Sequence, residues 1–72
     1  MSDERKLINY TIACVSEFAR KYNMKLRDAF SYLFQYKAIS FIKDNYDIEH
    51  TLSFNDVIED MRLICRQNGG TI

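Results

Sequence analysis

Histidine can act as acid, base or metal ligand, and the only one in this sequence, His50, stands in an acidic setting. Residues 44–60, DNYDIEHTLSFNDVIED, hold six of the ten acids, the only histidine, and no lysine or arginine. An imidazole beside Asp47, Glu49, Asp56, Glu59 and Asp60 could serve as an acid, a base or a metal ligand. Yet one histidine with nearby carboxylates falls short of an HExxH helix or a His/Cys quartet, so no metal is expected. The favoured reading is a histidine packed between helices, its ring hydrogen-bonded to a backbone carbonyl or a carboxylate. Asp56, Glu59 and Asp60 share one side of a helix, and acid–base work would require burial to separate their pKa values. Early in a helix such acids also suit the dipole and solvent. A solvated face is therefore the default, a partner-binding surface comes next, and catalysis follows well behind. Cys14 and Cys65 lie on apolar helix sides, where thiols act as small hydrophobes, and a nucleophile would have only His50 as its base. No glycine-rich loop offers a phosphate cradle. The residues imply no catalytic set and no cofactor, hence no enzyme.

Composition narrows the class further. Ten basic and ten acidic side chains give a formal net charge of zero, whereas nucleic-acid binding rests on neutralising phosphates. Nucleic acid is thus not the expected partner. The charge is uneven, with six Lys/Arg against four Asp/Glu in residues 1–36 and four against six in residues 37–72. Such a molecule can pair with itself or present its acidic end to a basic partner. Two cysteines without a CxxC spacing imply free thiols rather than a disulfide framework or zinc. The opening residues show mixed charge with no apolar run behind them, and no segment is apolar enough to span a membrane. A cytoplasmic protein is expected. At 72 residues the chain makes one small domain, which buries a modest share of its surface and stands to gain stability from a partner.

The elements that must position the acidic stretch are helices. Proline is absent, and the only glycines are Gly69 and Gly70. Apolar residues at three- and four-residue steps predict a first helix over about 3–22, with Leu7, Ile8, Ile12, Val15, Phe18, Ala19 and Tyr22 on one face. Asn23 is its stop, since asparagine tolerates the left-handed conformation. A second helix is predicted over 26–36 with Leu26, Ala29, Phe30, Leu33 and Phe34 as its stripe, and a third over 38–45. Residues 47–53 read as a loop holding His50. The last helix begins after Ser53, which with Asp56 approximates a capping box, and Phe54, Val57, Ile58, Met61, Ile64 and Cys65 form its apolar face. Asn68-Gly69 ends it, and residues 68–72 are expected to fray. The fold class is all-α, a compact bundle of about four short helices.

Several spellings together resemble a known bacterial family. These are Val15, Phe18 and Tyr22 closing the first helix, Ala29-Phe30 with Leu33-Phe34, Ile42-x-x-x-Tyr46, Tyr46-x-x-x-His50-Thr51, and Asp56-Val57-Ile58-Glu59-Asp60. Across nearly the whole chain they are similar to domain-of-unknown-function family 3791. This chain departs from that pattern at Glu49, where leucine is usual, and at Leu52-Ser53-Phe54, where a glycine-containing loop is usual. The resemblance implies a small partner of toxin-like proteins related to ADP-ribosyltransferases, an antitoxin-like module encoded beside its target. On that reading Tyr46, Asp47, Glu49, His50, Asp56, Glu59 and Asp60 form the partner-binding surface, which occludes a cleft. Two alternatives belong to other classes. One is a helix-turn-helix DNA binder or autoregulator built on the first two helices and the basic group Arg20, Lys21, Lys25 and Arg27. The other is a structural homodimer that buries its basic and aromatic faces.

Overall fold

Helix formers without an internal proline or glycine fold into α1 (Asp3–Lys21), α2 (Leu26–Gln35), α3 (Ala38–Asp44), α4 (Tyr46–Glu49) and α5 (Phe54–Gln67). The structure, a computed structural model, describes residues 3–72, and no strand occurs among them. α1 carries Asp3 and Glu4 in its first turn and Arg20 and Lys21 in its last, each favouring the end of the dipole it sits on. It stops at Asn23, whose φ of 55° is left-handed. There Met24 N–H donates to the Ala19 carbonyl at 2.8 Å, which satisfies an otherwise orphaned helix acceptor. α2 turns into α3 at Lys37, also left-handed at φ 78°. The short link between the second and third predicted helices is therefore a sharp bend. Ser53 caps α5, its Oγ accepting from Asp56 N–H at 3.2 Å.

The core lies where α1, α2, α3 and α5 meet. Cys14, Phe18, Ala29, Leu33, Ala38, Ile42, Val57, Met61 and Cys65 are all fully buried. Alanines at 19, 29 and 38 let the helix backbones approach, and Phe18 fills the space between them. Its ring packs 4.7 Å from Tyr22 and 6.1 Å from Tyr32, centroid to centroid. The radius of gyration is 11.2 Å, as the cube-root-like scaling of folded chains gives for this length.

Three expectations need correction. Residues 47–53 are not simply a loop. Asn45 ends α3, its backbone N–H and side-chain amide both bonding the Phe41 carbonyl, and its own carbonyl starts α4 by accepting from Ile48 and Glu49. With neither proline nor glycine in the stretch, one further helical turn satisfies the backbone locally. The C-terminus is tied down rather than frayed. Gly69 takes a φ of 105°, Gly70 N–H donates to the Cys65 carbonyl at 2.7 Å, and Ile72 N–H donates to Tyr32 Oη at 2.9 Å. A Cβ on Gly70 would collide with Tyr32 Oη, so this closure requires glycine. Finally, part of the predicted core lies outside it. Ile8 and Ile12 on α1, and Leu26, Phe30 and Phe34 on α2, are each about half exposed.

Candidate partner-binding surface

Tyr10 is the side chain that seats the acidic stretch on the bundle. Its hydroxyl donates to the Glu49 carbonyl at 2.8 Å, fixing the end of α4 against α1. Its ring meets Tyr46 edge-on at 5.4 Å and stacks on Phe54 at 6.3 Å, so the first residues of α4 and α5 both rest on it. Tyr46 in turn stacks on His50 at 4.6 Å with planes 12° apart. The His50 ring bonds the Tyr46 carbonyl through Nδ1 at 2.7 Å, and since a carbonyl only accepts, Nδ1 carries the proton. The expected backbone partner is there, but His50 is exposed on the outside of α4 rather than packed between helices. Thr51 Oγ1 donates to the Ile48 carbonyl at 2.7 Å and closes the turn.

The seven nominated residues separate by depth. Asp47, His50 and Asp56 are exposed, while Tyr46, Glu59 and Asp60 are partly buried. Glu59 is held by Arg62 of the same helix at 2.5 and 3.1 Å, and the guanidinium keeps its carboxyl below the usual carboxylate range. Glu49 is only 4% exposed, and its Oε1 is buried without a hydrogen-bond partner. Burial pushes its pKa up to about 7, helped by the hydrogen bond and the charge that Asp60 presents. Glu49 therefore belongs to the support of this surface, and its exposed part is made by Asp47, His50 and Asp56. Interleaved with them are the apolar side chains Ile48, Leu52 and Phe54, at 65%, 37% and 41% exposure.

Beneath the surface, the chemistry is suppressed. Burial pushes the Cys14 thiol up to about 11, with the Tyr10 hydroxyl bond opposing and the Glu49 charge adding to it. Cys65 is likewise raised to about 11 by burial, against a lowering bond from Tyr32. Both are protonated at neutral pH and shielded, so the native chain should react with a thiol reagent such as Ellman's far more slowly than the chain in denaturant, by about a hundredfold or more. Labelling of either cysteine at the denatured rate would show that the core around α1 and α5 opens readily. Among the described residues, no group of three or more His, Cys, Asp or Glu side chains is placed to hold a metal ion, and no helix is long and apolar enough to cross a membrane.

Sequence reasoning missed Tyr10 and the Glu49–Asp60 contact. Tyr10 lies on the apolar repeat, three residues after Leu7 and four before Cys14, but its role depends on an element 39 residues away. For Glu49 the available signal was a carboxylate three residues after Tyr46, on the inward side of a turn not recognised as helical.

No curated protein and no solved structure matches the chain. The family model described as protein of unknown function (DUF3791) matches residues 9–68, from the second turn of α1 to the cap of α5. Since that match takes in every helix and the whole surface built on Tyr10, the chain belongs to this family.

Proposed function

We propose that the chain is a protein-binding module, the antitoxin-like partner of an ADP-ribosyltransferase-like toxin, acting by occlusion. The observation that carries this reading is the exposed face running from Asp47 to Asp56. Asp47 and Asp56 flank Ile48, Leu52 and Phe54 there, on a turn anchored from behind by Tyr10. Exposed apolar side chains ringed by like charges form an interface pattern: the apolar centre excludes water and the charged rim selects the partner. An enzyme of the proposed target class takes NAD, whose pyrophosphate calls for basic groups in the cleft, and an acidic edge complements such a cleft. Glu59 is engaged with Arg62, so the acids free to meet cations are Asp47 and Asp56 rather than the whole helix face.

The test is co-expression with the tagged product of the neighbouring reading frame. The expected result is stoichiometric capture of the untagged chain, with toxicity of the neighbour appearing only when the chain is withheld. The Asp47→Lys/Asp56→Lys variant should lose about tenfold or more in affinity, since both sites are exposed rim positions, while melting within a degree or two of the parent. A captured variant with undiminished affinity would move the interface elsewhere. A neighbour that is harmless alone and captures nothing would remove the reading altogether.

A further inference from the structure

The apolar side chains of α1 and α2 that miss the core form a second surface, which meets the acidic stretch only at one end, where Leu7 and Lys43 also border Asp44 and Asp47. A hollow of about 510 Å³ opens between α1 and α2 over Ile12, Val15, Leu26 and Phe30. It continues along α1 into a second hollow of about 260 Å³ floored by Leu7, Ile8 and Ile39, the two sharing Thr11, Ile12 and Phe30. Phe34 stacks on Phe30 at 6.0 Å and extends the rim, itself 64% exposed. From Leu26 to Phe34 the groove wall spans about 12 Å, or two helical turns. That length matches apolar anchors at i, i+4 and i+7 of a docked helix.

Charge and area select the occupant. The charged side chains in the two walls are Arg27 at one end and Lys43 at the other, with no carboxylate between them. We infer that this groove takes an amphipathic helix of a partner protein whose apolar stripe is flanked by acidic residues. A second copy of the chain fits less well, because a two-fold pairing of this face sets basic walls toward basic walls. The half-exposed side chains also offer on the order of 500 Å² of apolar area, short of the roughly 800 Å² per partner that a stable dimer takes. The inference rests on the chain being a protein-binding module, but uses residues that the acidic face does not.

The probes are two synthetic helical peptides with the same leucine stripe, one flanked by glutamate and one by lysine, titrated against the full chain by fluorescence anisotropy. The glutamate peptide is expected to bind at least about tenfold tighter. Arg27→Glu/Lys43→Glu should reverse that order, and Ile12→Ser/Phe30→Ser should abolish binding with the helical circular dichroism unchanged. Equal affinities, no binding of the glutamate peptide, or indifference to the groove substitutions would overturn the inference. So would sedimentation of the parent as a dimer that Ile12→Ser/Phe30→Ser dissociates, which would identify a second copy as the occupant. If the peptides fail while the neighbouring gene product is still captured through Asp47 and Asp56, only the groove proposal falls. If that capture fails while the peptides behave as expected, only the antitoxin-like reading falls.

Discussion

Phe18→Ala should remove about half of the protein's folding stability. Phe18 is fully buried, touches both Tyr22 and Tyr32, and sits where α1 faces α2. Deleting a buried phenyl ring removes its transfer free energy and leaves a cavity, together about 3–5 kcal/mol. At roughly 0.05–0.15 kcal/mol per residue, a chain of this length has only about 4–10 kcal/mol to lose. The neighbourhood has little means of closing the void, because Tyr32 is committed at its hydroxyl to the Ile72 N–H. The same truncation at Phe34, 64% exposed, should change stability by no more than about 1 kcal/mol. Urea melts of the two variants provide the check. Similar losses in both would mean that α2 packs the other way round.

Glu49→Gln should stabilise the protein above neutral pH and flatten its pH dependence. The Glu49 carboxyl is raised from the ordinary 4.5 to about 7, first by burial and then by Asp60. A folded-state pKa above the unfolded one means the folded chain holds the proton more tightly. The resulting stability is fully present below about pH 4.5 and is lost as pH rises toward 7. Above that, the fold carries an ionised carboxylate with a buried, unpartnered oxygen facing a second acid. Glutamine keeps the shape, cannot ionise, and can donate to Asp60. At pH 8 the variant should exceed the parent by about 2–3 kcal/mol, with little difference at pH 4. Thermal melts at the two pH values read this directly. Parallel curves for parent and variant would show that Glu49 finds water in the folded state.

Much of the fold could be read from the sequence, because its signals are local. Asn23, Ser53 and Gly69 act on their own neighbours, and α1, α2, α3 and α5 begin and end within a residue or so of the expected places. What could not be read is which part of a wide apolar arc faces inward. At about 100° per residue, Ile12 lies roughly 120° around α1 from Phe18, and periodicity alone assigns both to one face. Only the placement of α2 and α3 decides that Phe18 is covered and Ile12 is not. Residues 46–49 were missed for a related reason: a single turn is too short to show a repeat. The acidic stretch was legible as a unit, but its division into an exposed face of Asp47, His50 and Asp56 over a buried Glu49 was not. That division depends on Tyr10, reaching from the other end of the chain.

The proposed hold of Asp47 and Asp56 on a basic partner can be read by calorimetric titration. The purified chain and its Asp47→Lys/Asp56→Lys variant would each be titrated into the neighbouring gene product, at low and at high salt. A one-to-one complex is expected with the parent, weakened by salt, and about tenfold or more weaker with the variant, whose own salt dependence is smaller. Equal affinities for parent and variant, unchanged by salt, would contradict it.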